Sequence, residues 1–292
     1  MASLRVDQAE GLRQLLASPS LHVIAVASAT AGVGKTSIVA NLATTFAATG
    51  REVLILDAAQ GAPMSGVFGV QPRYDLADVI DRTRSLEQAL IPCVQGVRML
   101  PVAQGLKRLG DLGAVEQTRL TESFQWLACP VDVVLIDTPS DTDDALLNTG
   151  LAAHDTLFVL SRTTSSITAN YALIKTLRQQ YAMRRFRILV NKVSGEPEAR
   201  AIYGNMAGVA RQYVGAALEY AGYMPRDDKL HRAAALGLPL IDAFPEAPAA
   251  VAIRQLAGLL SKRPSARQEE GMEHFVQRLI RSSRVQAASA AA

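Results

Sequence analysis

Short runs of apolar and β-branched residues recur along the chain at His22–Ser28, Val53–Asp57, Val97–Val102, Asp132–Asp137, Thr156–Ser161 and Arg187–Asn191, with stretches of helical spacing between them. That alternation predicts an α/β fold: one domain whose mostly parallel, twisted sheet carries helices on both faces. Sheets of this kind bind ligands beyond the carboxyl ends of their strands. Polar residues gather at those ends here. Ser28 precedes AGVGKTS, Asp57 ends VLILD, Asp137 ends VVLID and Asn191 ends RILVN, so the pattern predicts one convergent site.

Residues 21–260 are expected to form this domain, with appendages at 1–20 and 261–292. At 292 residues and 49% hydrophobic content the chain is long enough for one large core. No apolar run approaches the roughly 20 residues that span a bilayer. The opening MASLRVDQAEGLRQLL lacks the order of a secretion signal, so a cytoplasmic protein is expected. A net charge of +3 is too small and dispersed to argue for a nucleic-acid footprint, and no specific DNA partner is expected. Cys93 and Cys129 form neither a CxxC pair nor a metal cluster and are read as thiols in a reducing compartment.

The run Gly32-Val33-Gly34-Lys35-Thr36-Ser37 follows the first strand and opens a helix expected over 37–49. In that setting glycines let backbone N–H groups approach phosphate, Lys35 neutralises the outer phosphates, and the Thr36 hydroxyl faces Mg²⁺. Asp137, at the end of an apolar strand, is placed to hold the magnesium shell. Asp57 is a second acidic strand end and a catalytic candidate with Lys35; an Asp that caps the following turn gives the same pattern.

With these residues in place, SATAGVGKTSIVANLATTFAATGREVLILDA resembles the deviant Walker A motif, helix and strand of the MinD/ParA family of P-loop ATPases, and VVLIDTPS resembles its Walker B strand. LSRTTSSITANYALIKTL is similar to the form found in the flagellar number regulators of the FlhG group. ILVNK resembles the strand whose Asn reads adenine, which implicates Asn191. YMPRDDKLHRAAALGLPLIDAFPEAPAAVAIRQLA resembles the loop over the base, with Pro225 and Asp227 at the positions surrounding adenine. The resemblance implies ATP or ADP with Mg²⁺ as ligands and a nucleotide-dependent homodimer.

Two departures qualify it. The position of the family's signature lysine is Thr30, within Ala29-Thr30-Ala31-Gly32, and where the family has a second aspartate after the second strand this chain has Ala59. That lysine supplies transition-state charge across the dimer and that aspartate positions water, so weak or absent turnover is expected alongside intact binding. Alanine at 29 and 31, where the family has glycine, would also restrict any φ > 0 geometry.

The ends carry their own signals. Asp7-Gln8-Ala9-Glu10-Gly11-Leu12-Arg13 resembles the motif with which FlhG stimulates its GTPase partner FlhF, so Asp7, Gln8, Ala9, Gly11, Leu12 and Arg13 are candidates for that contact; a helix docked on its own core is the other reading. Met272, Phe275, Val276, Leu279 and Ile280 recur at helical spacing among arginines. They resemble the C-terminal membrane-targeting helix of MinD and FlhG, which implies peripheral attachment to anionic lipid at the inner face of the membrane. A helix packed on the core, or on a second subunit, has the same pattern. The final alanine-rich stretch reads as a disordered tail. The resulting expectation is a nucleotide switch that regulates flagellar number or placement, activates an FlhF-type GTPase and contacts basal-body or C-ring components. The alternatives are a DNA-partition or other spatial-positioning ATPase, and an iron–sulfur carrier, for which the two cysteines have no companions.

Overall fold

The computed structural model describes residues 21–59, 61, 63–139, 149–183, 185–262 and 271–290. Eight strands form one sheet: β1 His22–Ala27, β2 Val53–Asp57, β3 Ile91–Val94, β4 Val97–Pro101, β5 Val133–Asp137, β6 Asp155–Ser161, β7 Arg185–Val193 and β8 Ala217–Pro225. Their order is β3-β4-β2-β5-β1-β6-β7-β8, parallel except for the antiparallel pair β3–β4 at one edge. Long helices, numbered in chain order, cover the faces: α1 Lys35–Ala47, α2 Ala114–Gln125, α3 Thr164–Tyr181, α4 Glu196–Tyr213, α5 Pro248–Ser261 and α6 Met272–Ala290. This is the α/β architecture the sequence pattern predicts.

The inner strands are apolar at consecutive positions because both of their faces are covered. Along β1, Ile24 and Val26 pack with Ile38, Leu42 and Phe46 of α1 and with Ile253 and Leu256 of α5. Val23 and Ala25 point the other way, toward Leu120 and Phe124 of α2 and the apolar face of α6. A third cluster joins β6 and β7 to Leu173, Ile174 and Leu177 of α3. Chain direction turns at the middle of the sheet: from β1 the chain crosses by α1 toward β2, whereas β6, β7 and β8 follow one another on the opposite side. A reversal of this kind opens a crevice at the carboxyl ends of the central strands.

Two strands escape the sequence pattern, β3 and β8, and both are edges. Pro92 interrupts β3, where the pairing with β4 shifts register, and β8 mixes Glu219, Tyr220 and Gly222 along its length. The partly exposed edges tolerate polar and small residues, so no apolar run marks them.

The C-terminal helix corrects the expectation of a disordered tail, and its apolar face has a seat on the core. Its backbone continues to Ala290, through residues read as a disordered tail, because alanine is the strongest helix former. Its apolar face is not turned to solvent: Phe275, Val276, Leu279 and Ile280 are buried in the core and Met272 packs against them. The helix is seated on its own domain, against α2 and the turn Leu109–Asp111, which is one of the packings the sequence pattern allows. Two arginines reinforce the seat by donating to backbone carbonyls: Arg278 to Ala152 O at 3.2 Å and Arg284 to Leu112 O. Among the described residues no helix is long and apolar enough to cross a membrane. Asp7, Gln8, Ala9, Gly11, Leu12 and Arg13 lie outside the described residues.

Phe275 is 0% exposed, so truncating it removes a ring from a closed cluster. Phe275→Ala is expected to lower unfolding free energy by about 3–5 kcal/mol, read from the midpoint of urea denaturation. A change under about 1 kcal/mol would mean that the helix contributes little to this core.

Candidate functional site

The crevice is built around the segment from Ser28 to Thr36. β1 ends at Ala27 and α1 begins at Lys35, two residues before the expected start, so the glycine-rich stretch is the whole connection between them. Gly32 at φ 69° and Gly34 at φ 100° give the loop its left-handed turns. Gly34 is also required by contact: a Cβ there would lie 2.5 Å from Asn191 Nδ2. Ala29 and Ala31 are not at positive φ, so alanine in place of glycine carries no backbone penalty. With the loop opening straight into α1, its N–H groups and the helix dipole favour an anion at one point.

Strand pairing sets the acidic side. Asp137 is paired in register with Asp57 of β2 and with Val26 of β1, which places the two carboxylates side by side next to the loop. Thr36 donates from Oγ1 to Asp137 Oδ2 at 2.6 Å, while Asp137 Oδ1 is buried with no partner among the described residues. A hydroxyl and a carboxylate in contact, with one carboxylate oxygen left over, is a donor set that fits a hydrated magnesium ion shared with a phosphate. Asp57 Oδ1 accepts from Ala59 N–H at 3.1 Å, so it also caps the turn after β2, as its alternative reading expects.

Burial dominates the electrostatics. Asp57 is pushed up to about 7, first by burial, then by the neighbouring charge of Asp137 and against the hydrogen bond from Ala59. Burial likewise pushes Asp137 up to about 6, against the Thr36 hydrogen bond and the charge of Lys35. Lys35 is itself buried. Two closely placed acids and one buried ammonium leave the pocket short of compensating positive charge, which a metal would supply.

Asn191 ends the sixth of the apolar strand runs and meets the loop from β7, its Nδ2 donating to Val33 O at 2.7 Å. Pro225 ends β8, paired with Val193 beside it. Asp227 is occupied structurally: Oδ1 accepts from Lys229 N–H at 3.0 Å and Oδ2 from Ala249 N–H at 3.2 Å, which fastens the loop to the start of α5. The structure thus brings Gly32, Val33, Gly34, Lys35, Thr36, Ser37, Asp57, Asp137, Asn191 and Pro225 to one end of the sheet. Met272, Phe275, Val276, Leu279 and Ile280 lie on a helix elsewhere.

Sequence reasoning missed Ser28 and Asn170 as a pair. Asn170, buried on α3, accepts from Ala29 N–H at 3.1 Å and donates to Ser28 Oγ at 3.3 Å; Thr30 N–H also donates to Ser28 Oγ, at 3.2 Å. Its signal is an amide on the stripe that continues through Leu173, Ile174 and Leu177, where an apolar residue belongs. Thr30 Oγ1 is buried without a partner among the described residues.

The description "CobQ/CobB/MinD/ParA nucleotide binding domain" matches residues 24–240. The chain belongs to this family. Relatives include the antiactivator FleN of Pseudomonas aeruginosa, 32% identical over 92% of this chain and 97% of its own length. The flagellum site-determining protein YlxH of Helicobacter pylori is 27% identical over 88% of this chain and 89% of its own. Among solved structures, MinD of Pyrococcus horikoshii complexed with Mg-ADP shares the fold with TM-score 0.63, at 21% identity, over 83% of this chain and 96% of its own.

The raised carboxylates give this member of the family a pH signature. Both acids titrate near 3.8 when unfolded and higher when folded, so between about pH 4 and 7 the folded state binds more protons. Stability of the nucleotide-free protein is therefore expected to fall as pH rises through that window. Asp57→Asn should reduce the fall throughout the window and remove most of what remains between pH 6 and 7, above the range of Asp137. An unchanged slope in that variant, measured by urea unfolding across pH, would contradict the assignment.

Proposed function

We propose that the chain is an ATP-controlled switch that sets flagellar number or placement, binding ATP or ADP with Mg²⁺ and turning ATP over slowly or not at all. The observation that supports it is the contrast within one crevice. Gly32–Thr36 and Asp137 fit a phosphate and a hydrated metal, while Thr30 and Ala59 offer no charge and no carboxylate for hydrolysis. The near full-length similarity to FleN and YlxH supports the flagellar role.

Each side chain has a separable part. Lys35 balances the charge of the outer phosphates, and Thr36, held by Asp137 Oδ2, presents its hydroxyl oxygen on the metal side. Bound magnesium would supply the positive charge that spreads over the phosphate oxygens. Asn191 retains one N–H and one lone pair beyond its bonds to Val33 O and Lys192 N–H, and these match the N7 acceptor and N6 donor of adenine. Catalysis would need a group to orient water and a cation at the transition state, and Ala59 and Thr30 provide neither.

The remaining functions are assigned to the ends. Residues Asp7–Arg13 would engage an FlhF-type GTPase, and the domain would pair with a second copy when nucleotide is bound. α6 would reach anionic lipid only after leaving its seat, since the face that would enter the bilayer is the face buried on the core. Basal-body or C-ring components complete the expected partners.

Titration with ATP and Mg²⁺ tests the switch. The parent chain should bind, Lys35→Ala should weaken binding at least tenfold, and Thr30→Lys with Ala59→Asp should raise a low steady-state turnover. Equal affinity in Lys35→Ala would sink the phosphate-site reading, and rapid turnover by the parent would sink the reading of Thr30 and Ala59.

The partner role has its own assay. GTP turnover by an FlhF-type GTPase should rise with full-length protein and with the peptide Met1–Ser18, and should lose that rise when residues 1–18 are deleted. Identical turnover with and without the segment would leave it a structural extension.

A further inference from the structure

The lysine of ILVNK, Lys192, to which the sequence reading gives no role, sits against the phosphate loop. Lys192 Nζ donates to Gly32 O at 2.7 Å, the carbonyl next to the one that Asn191 holds. Three features aim it there. The β7–β8 pairing shifts register between Asn191 and Val193, so Lys192 is the bulged residue, released from the ladder. Its φ is 62°, in the left-handed region, although it is not glycine. Its own N–H donates to Asn191 Oδ1 at 2.8 Å, which turns the Asn191 amide so that Nδ2 faces Val33 O.

A bulge of this kind redirects a side chain, and an L-residue at positive φ is strained and persists only where surrounding contacts hold it there. Here the contact that holds it is the loop. In a phosphate loop the N–H groups turn toward the anion, so carbonyls turn outward and need donors of their own. Gly32 O and Val33 O receive them from consecutive residues of one strand end. Asn170 and Ser28 fix the start of the same loop from the other side.

We infer that Lys192 is a positioning residue for nucleotide: a cationic strut that holds Gly32–Gly34 in the phosphate-receptive shape before any ligand arrives. The inference rests on the nucleotide reading above for its consequence, and on the hydrogen bonds alone for its structural part. It also places an ammonium in cis against a loop that has no lysine at Thr30. Preorganisation of this kind lowers the ordering cost of binding, so its loss weakens affinity without removing a ligand contact.

Lys192→Gly separates a strut from an ordinary stabilising residue, because glycine relieves the left-handed backbone while deleting the ammonium. ATP and ADP affinities, by equilibrium titration with Mg²⁺, should each fall about tenfold, the scale of one charge-assisted hydrogen bond. Melting temperature should stay level or rise. Amide exchange at residues 32–35 of the nucleotide-free protein should quicken by about tenfold, with the rest of the chain unchanged. Lys192→Arg, which keeps a cationic donor, should return affinity to within about threefold of the parent. Parental affinity and loop exchange in Lys192→Gly would overturn the inference, as would a lowered melting temperature with faster exchange throughout the chain. If the parent binds no nucleotide, the nucleotide reading fails by itself, and the exchange comparison in the free protein still decides whether Lys192 holds the loop.

Discussion

Two carboxylates at the ends of adjacent buried strands cannot both keep full charge without a cation, and the rest of the site is arranged around that imbalance. Asp57 and Asp137 stand in register, so the sheet itself enforces their proximity. Lys35 and the Thr36 hydroxyl answer part of the charge of Asp137. Asp57 is pushed up to about 7 by burial and by Asp137, with only a backbone N–H in its favour. The shortfall faces the same crevice into which the loop turns its N–H groups. A polyanion carrying its own divalent cation fits both needs, since the N–H groups would take its phosphates and the carboxylates would take its metal.

What the sequence made legible follows from how local each signal is. The phosphate loop, the strand-end acids and Asn191 are read from a few neighbouring residues. β1, β2, β5 and β6 are legible because burial on both faces makes nearly every position apolar. The edge strands β3 and β8, with Pro92 and Gly222, carry no such mark. Longer-range features were out of reach. Ser28 and Asn170 meet across 142 positions, and only the polar residue on an apolar stripe hinted at it. Nothing local to Lys192 announces a bulge, which exists because β8 pairs on both sides of it.

The loss of glycine at Ala29 and Ala31 has a benign physical reading once the backbone is known. Neither position turns left-handed, and the start of the loop is tied to Ser28 and Asn170 by bonds that the side chains at 29 and 31 do not enter. Thr30 is different in kind. It keeps the local conformation and carries no charge, so at this position shape and chemistry are separable.

The C-terminal helix shows why an amphipathic pattern is degenerate. Phe275, Val276, Leu279 and Ile280 satisfy the same requirement in a protein core as in an acyl layer, because both remove apolar area from water at about 25 cal/mol per Å². The arginines are equally ambivalent. Arg278 and Arg284 donate here to carbonyls that end other elements, and a guanidinium donates as readily to a phosphate. Any exchange between the two environments would first have to break the specific packing against α2. A ligand at the phosphate loop can bias such an exchange only through different affinities for the docked and released forms. The sheet is the physical link available for that bias, since β1 carries the loop at its carboxyl end and packs Val23 and Ala25 into the cluster that seats the helix.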